Sequence, residues 1–219
     1  MNKFYDCIGI FVRESKNRFL CIVRIDEIET EVYVQSSCRL ENFIDLRGKK
    51  VYLKKIDKPK RVKYTLIAFR FKRNFSLLSP KMANDIFYRY LLTKRSAHYG
   101  LRKKILKEYQ VEEYKSDFYI PITKTIFEIK AFLSFDSTAI FPTVYSERAL
   151  IQLNSIERLL KKNYKCYYIV ISLNPFQKHL RINTETKFGS KLLELKKTGL
   201  IVEFKYVKFN KGFWTLYNC

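Results

Sequence analysis

The sequence predicts an α+β protein of two lobes, an all-β barrel followed by a mixed α/β domain. Three observations carry this expectation. Five short runs with apolar alternation crowd residues 4–72. A helix-start signal, Ser79-Pro80, closes that region, with an N-cap residue and proline at the first helical position. Beyond it the apolar period switches in the order helix, three strands, helix, strand. The chain has 219 residues, 47% of them apolar, with 18 Phe and 16 Tyr. That is material for one large core or two small ones, and it argues against global disorder.

Residues 4–13 (FYDCIGIFVR) and 18–25 (RFLCIVRI) read as two strands joined by the polar ESKN. Asp26 and Glu27 turn the chain into a third, 28–34 (IETEVYV). A loop with a short helix at 39–45 follows and ends at Gly48. Residues 50–56 (KVYLKKI) alternate again, Pro59 breaks the pattern, and 62–72 (VKYTLIAFRFK) form a long fifth strand. Five strands with one helical loop before the fourth predict a small barrel of the OB type. Met82, Ile86, Phe87, Tyr90 and Leu91 then recur at helical spacing, ahead of Gly100 and the basic LRKKILK. Strands are expected at 108–113, 116–122 and 125–133, a helix capped by Ser146 at 146–162, and a strand at 166–173. A second helix at 186–198, with Gly199 just beyond its end, leads to a strand at 200–207 and a hairpin around Asn210-Lys211-Gly212.

Charge is the most distinctive bulk property. Lys plus Arg number 43 against 21 Asp plus Glu, a net +22. A domain this basic repels itself unless an acidic partner is near, and nucleic acid is the commonest such partner. The basic residues are dispersed rather than gathered on one amphipathic helix, so a membrane surface is not the expected partner. No window approaches 18 uncharged apolar residues, so no spanning helix is expected. The start, MNKFYDCIGIF, has no signal-peptide h-region, which makes a cytoplasmic location the expectation. The five cysteines lie at long spacings with no C-x-x-C pair, and read as buried free thiols in a reducing compartment. His98 and His179 have no Cys or His at ligand spacing, so histidine-centred catalysis and zinc hydrolysis have little to work with.

The candidate chemistry lies in Lys115–Lys130, KSDFYIPITKTIFEIK. Side chains two apart on a strand share a face, so Glu128 and Lys130 point the same way. With Thr123 and Lys124 as a two-residue turn, Lys130 stands opposite Asp117 and Glu128 opposite Tyr119. All three polar side chains then emerge on one face, the carboxylates roughly 7 Å apart as diagonal neighbours. Two carboxylates at that spacing can share one Mg²⁺, which favours oxygen ligands, and Lys130 can orient the attacking water. An acid-x-Lys triplet also occurs at Glu14, Glu113, Glu185, Glu194 and Glu203. Most of those copies read as solvated charge pairs, whereas Glu128 lies in the apolar FEIKAFL. A metal site and a structural salt bridge both account for such a pattern.

The sequence resembles the sugar fermentation stimulation protein (SfsA-like) family over nearly its whole length. Arg13 with Asn17-Arg18-Phe19 resembles the family's R-x-NRF segment, with extra residues inserted. Cys38-Arg39-Leu40, then Gly48 and Val51, resembles GRL…PG-x-x-V, with Cys38 in place of the glycine. Lys115-Ser116-Asp117-Phe118 resembles SR-x-DF, with Tyr114 and Lys115 standing for Ser and Arg, and Glu128-Ile129-Lys130 matches EVK. Phe141-Pro142, Ser146-Glu147-Arg148 and Leu153 follow FPDA-x-T-x-RG-x-x-HL, with Thr143 replacing the Asp, Ala149 the Gly and Gln152 the His.

The resemblance implies an OB-like nucleic-acid-binding barrel over 1–68 and a PD-(D/E)XK nuclease-like domain over 69–219, with DNA as partner. It implies that Asp117 and Glu128 hold Mg²⁺ or Mn²⁺, that Lys130 serves the nucleophilic water, and that Glu108 is a further acidic contributor. Nucleic-acid contacts are expected at Arg13, Arg18, Phe19, Arg39, Lys115 and Arg148, although an ordinary surface arginine also accounts for Arg148. Three functions remain open at this point: a metal-dependent DNA nuclease, a DNA-binding protein without turnover, and an RNA-binding OB protein. No small-molecule cofactor is expected, there being six glycines and no nucleotide-binding loop among them. A homodimer is compatible with these features without being required by them.

Overall fold

The computed structural model describes residues 3–35, 39–100, 104–136, 138–142 and 146–219. The first lobe contains β1 (Cys7–Glu14), β2 (Leu20–Ile25), β3 (Ile28–Val34), β4 (Lys50–Lys55), β5 (Tyr64–Phe71) and β6 (Asn74–Leu77). Their order is β3-β2-β1-β4-β5-β6, and a parallel pairing of Tyr33 with Thr65 and Val34 with Leu66 joins β3 to β5. That closure makes an OB barrel of the first five strands, filled by Phe11, Cys21, Val23, Val32, Val51, Leu53 and Leu66. Strand β6 was not legible in the sequence. The helix expected at 39–45 is a single 3₁₀ turn, Leu40–Asn42.

The second lobe begins with α1 (Pro80–Leu91), whose first turn is capped as the sequence indicates, the Ser79 hydroxyl accepting from the Met82 N–H at 3.2 Å. There follow β7 (Leu106–Val111), β8 (Tyr114–Ile120), β9 (Thr125–Phe132), β10 (Ala139–Phe141) and α2 (Glu147–Lys161). Next come β11 (Lys165–Ser172), β12 (Leu180–Ile182), α3 (Lys187–Lys197), β13 (Ile201–Asn210) and β14 (Phe213–Asn218). Six of these strands form one sheet, ordered β14-β13-β11-β9-β8-β7, in which β9, β11 and β13 run parallel. The expected helix, three strands, helix, strand order is therefore present as α1-β7-β8-β9-α2-β11. The two three-residue strands β10 and β12 pair with each other.

Alternation along β9 and β11 divides the apolar side chains between two faces. Phe127, Tyr167 and Phe118 pack on Ala83, Ile86 and Phe87 of α1. Ile126, Tyr168 and Val170 pack on Leu153 and Ile156 of α2 and on Phe188 and Leu192 of α3.

The lobes are joined by more than a linker. The Leu77 N–H and the Ser76 hydroxyl both donate to the Leu173 carbonyl, at 3.0 and 3.1 Å. Phe4 and Phe75 of the first lobe meet Phe209 and Trp214 of the second with ring centroids 4.7–5.4 Å apart. One apolar core runs through both. Because β5 runs through residue 68 and β6 extends the same sheet, we propose the division between lobes at 78–79 rather than at 68–69. Among the described residues no helix is long and apolar enough to cross a membrane. Cys7, Cys21, Cys166 and Cys219 are free thiols, and burial pushes those of Cys21 and Cys166 up to about 12. Cys38 lies outside the described residues.

Candidate metal and nucleic-acid site

The site forms where β8 and β9 part. Their ladder pairs Ile120 with Thr125 and ends at Phe118 with Phe127, while β9 stays paired with β11 as far as Phe132. This register corrects the one expected from a two-residue turn. Pro121–Thr123 form a 3₁₀ turn and Lys124 takes a left-handed conformation (φ 44°), so the loop has four residues, 121–124. The ladder shifts by two, which brings Glu128 rather than Lys130 level with Asp117. An even shift leaves every side chain on its face, so Asp117, Glu128 and Lys130 still share one.

Beyond the fork the Asp117 side chain stands in for the missing main-chain partner. Its Oδ2 accepts the Ile129 N–H at 2.7 Å, and its Oδ1 accepts from Asn84 of α1 at 3.3 Å. The N–H and C=O of one strand residue point to the same edge, so the Ile129 carbonyl opens into the same fork.

Glu128 is 3% exposed, and both its oxygens are engaged. Tyr114 donates its hydroxyl to Oε2, and Lys130 Nζ lies 2.6 Å from Oε1. Lys130 is held in turn by Gln152 Oε1 of α2 at 2.8 Å. Tyr168, the neighbour of Glu128 on β11, has a buried hydroxyl with no hydrogen-bond partner. Removing the Tyr114 hydroxyl as Tyr114→Phe strips one bond from a buried carboxylate. Loss of about 1–3 kcal/mol is expected, seen as a lower urea midpoint at unchanged slope.

Burial, reinforced by the negative charge of Glu128, pushes the Asp117 carboxyl up to about 7, against the opposing pull of the Ile129 N–H and Lys130. Such a pair carries more negative charge than its surroundings compensate. Among the described residues no group of three or more His, Cys, Asp and Glu is placed to hold a metal ion. Mg²⁺ nonetheless needs only one or two carboxylates, completing its shell with water and substrate phosphate. Two carboxylates and a carbonyl turned to the same fork fit that requirement. They line a pocket of about 440 Å³ shared with Glu108, Glu113, Arg148 and Gln152.

The sequence model described as the sugar fermentation stimulation protein RE domain matches residues 81–212, and that described as the SfsA N-terminal OB domain matches residues 14–77. The chain belongs to the sugar fermentation stimulation protein family. A homolog from Desulfitobacterium hafniense (strain DSM 10664 / DCB-2) is 24% identical over 192 residues, covering 84% of this chain and 82% of the relative. One from Pelagibacter ubique is 28% identical over 169 residues, covering 74% and 72%. The solved structure of Pyrococcus furiosus SfsA in complex with Ca²⁺ shares the fold with a TM-score of 0.82 at 18% identity, over 97% of this chain and 93% of that one. Membership of the SfsA family with an N-terminal OB domain supports nucleic-acid binding.

Within this SfsA-family fold the remaining expected residues are dispersed. Glu108 stands beside Asp117 across the β7–β8 ladder with a left-handed backbone (φ 48°), and it ion-pairs with Lys115 at 2.9 Å. Arg148 is exposed in the first turn of α2 and lines both the carboxylate pocket and a larger cleft between the lobes. Arg18 stacks over Phe19, 4.8 Å from its centroid, and lines the same cleft. Arg39 donates to the Ser15 and Lys16 carbonyls at 3.1 Å and so braces the β1–β2 loop. Arg13 pairs with Glu29 at 3.1 Å on the barrel surface, away from the fork. Thr143 lies outside the described residues.

Sequence reasoning missed Tyr114, Gln152 and Asn84 as members of the site, which reach it from three different elements. Among the other acid-x-Lys triplets, most of which read as solvated in the sequence, Glu203 is an exception. Lys205 is 2% exposed, bonds Glu203 and Asn218 at 2.7 Å each, and Tyr99 donates to Glu203 at 2.5 Å. This copy is a closed structural clamp on the α1 face of the sheet.

Proposed function

We propose that this protein is a divalent-metal-dependent DNA nuclease with its hydrolytic centre at the β8–β9 fork. The observation that carries the reading is the convergence of Asp117, Glu128 and Lys130 on one face at an open pocket, with the Asp117 carboxyl raised by burial and by the charge of Glu128. Asp117, Glu128 and the Ile129 carbonyl would hold Mg²⁺ or Mn²⁺. A bound ion of this kind neutralises charge on a phosphate and acidifies water. Lys130, fixed by Gln152, orients the attacking water, and Tyr114 fixes Glu128. Glu108 adds negative charge at the rim. The solved P. furiosus relative, in complex with Ca²⁺, supports a cation site built from oxygen ligands.

DNA is brought to this centre by the +22 charge, with Arg18, Phe19, Arg39, Lys115 and Arg148 on the route and Arg13 on the barrel flank. A second reading, DNA binding without turnover, draws on the Lys130–Glu128 ion pair at 2.6 Å, which satisfies both groups without a metal.

The test incubates single- and double-stranded DNA with the protein in Mg²⁺ or Mn²⁺, beside Lys130→Ala and Asp117→Ala. Metal-dependent cleavage lost in both variants supports the nuclease. Binding with no cleavage under either metal leaves the second reading. Tighter binding to RNA of the same sequence removes DNA as the substrate.

Affinity should also fall steeply with salt, because phosphate contacts release counterions. Six to ten contacts lose about 10³–10⁵ in affinity between 50 and 200 mM. A flat response in a filter-binding titration would detach the basic surface from nucleic acid.

A further inference from the structure

We propose that the cleft between the barrel and the second lobe takes an unpaired DNA strand and leads it to the carboxylate pocket. The cleft has a volume of about 810 Å³ and shares Ile129, Lys130, Arg148 and Gln152 with that pocket. Its charge is one-sided. Arg18, Lys81, Lys130 and Arg148 line it, and no Asp or Glu does so among the described residues. The adjoining pocket sets Glu108, Glu113, Asp117 and Glu128 among Lys115, Lys130 and Arg148. Among the described residues, acidic side chains therefore appear only beyond the shared wall. Phosphates are drawn to the cationic side, and the hard-cation ligands stand at its end.

The rest of the lining suits bases. Phe43 and Leu40 from the barrel face Phe141, Pro142 and Ala149 from the other lobe. Such surfaces accept any base, since every base offers an apolar face. Arg18, also a lining residue, lies over the partly exposed Phe19 ring, a cation–aromatic step onto which a first base can stack.

Tyr168 supplies the second sign of a ligand. It lines the cleft, is 1% exposed, and its hydroxyl is a buried donor with no partner. A buried polar group of this kind is costly unless something binds it, and a phosphate oxygen would. Size selects among nucleic acids. A cavity on this scale encloses a drug-sized ligand, about one or two nucleotides, and not a duplex with two backbones and a full base stack.

The inference rests on the carboxylate pocket being where the phosphodiester is placed. It is tested without metal, so that loss of cleavage and loss of strand preference remain separate outcomes. Fluorescence anisotropy in EDTA compares a labelled single strand, a blunt duplex and a duplex with a single-stranded tail. The single strand and the tailed duplex are expected to bind about tenfold more tightly than the blunt duplex. Lys81→Ala/Arg148→Ala should weaken single-strand binding by about that tenfold and blunt-duplex binding by clearly less. Tyr168→Phe, which removes only the orphan hydroxyl, should weaken strand binding without lowering the thermal midpoint of the free protein. Equal affinity for single strand and blunt duplex overturns the proposal. So does an equal loss on both in the double variant, or displacement of the strand by a mononucleotide at equal concentration. Strand preference retained in a protein that never cleaves overturns the nuclease reading instead.

Discussion

Replacing Lys130 by methionine is expected to lower metal-dependent cleavage of DNA by about 10²–10⁴-fold, the range for a group positioned to handle a proton at the reacting centre. Methionine keeps most of the apolar stem and removes the charge. The same change also leaves Glu128 buried without its cation, and breaking a buried pair can cost about 3–5 kcal/mol. Lys130 is itself 28% exposed on its side chain, so the loss should fall at or below the lower end. Stability and catalysis are separated by Glu128→Gln/Lys130→Met, in which neither charge remains. This double variant is expected to regain the thermal midpoint and to stay inactive. Full cleavage by the single variant would remove Lys130 from the chemistry, and recovery of cleavage in the double variant would reduce it to a structural ion pair.

Asp117→Asn is expected to act in opposite directions with and without metal. The unfolded Asp117 titrates near the ordinary carboxyl value of 3.8, and the folded one is raised to about 7. Between those values the folded state holds a proton that the unfolded state has released. Stability from this group is therefore present at low pH, declines as pH rises from about 4 to 7, and is absent above 7. Asparagine cannot ionise and keeps an oxygen for the Ile129 N–H. In EDTA at pH 8 the variant should melt about 5 °C higher than the parent, corresponding to about 2 kcal/mol for a chain of this length. In Mg²⁺ the parent should gain stability with ion concentration, as any ligand of the folded state produces, and the variant should gain little. Metal affinity of the parent should weaken below about pH 7, where the ion competes with a proton. Melting curves in EDTA and in Mg²⁺ across pH 5–9 check all three. A variant less stable than the parent in EDTA at pH 8 would show that Asp117 is not strained by its own charge.

Much of the fold was legible because it is written in local chemistry. Strand β3 has the bounds the alternation gives, and Ser79 and Ser146 cap their helices through hydrogen bonds to residues three ahead. Gly199 takes the positive φ that a helix end requires, and Asn210 pairs with Phe213 around a two-residue turn. The face shared by Asp117, Glu128 and Lys130 was also legible, since parity survives an even slip. Strands of three residues such as β10 and β12 carry too few positions for a period.

What surrounds the site was not legible. Gln152, Tyr114 and Asn84 meet there only through tertiary packing, from α2, β8 and α1. The two buried triplets make the same point. Glu128-Ile129-Lys130 and Glu203-Phe204-Lys205 both lie in apolar strands, and nothing in their own residues tells them apart. Glu203 and Lys205 are sealed by Tyr99 and Asn218, with the Tyr90 ring 5.3 Å from the ammonium. Glu128 and Lys130 border a pocket because β8 leaves β9 after Phe127. The difference between a clamp and a candidate centre is thus the departure of one neighbouring strand.

The aromatic cluster of Phe4, Phe75, Phe209 and Trp214 gives the interlobe cleft a mechanical character. It fastens the barrel to the β13–β14 edge of the sheet, and the Leu77–Leu173 hydrogen bond ties it beside β11, so the two walls are set as the jaws of a fixed gauge rather than a hinge. A gauge does not close upon what enters it. It admits by width, and it adds no ordering cost of its own when filled. On the strand reading proposed above, discrimination would fall at entry, before any ion or side chain at the fork acts.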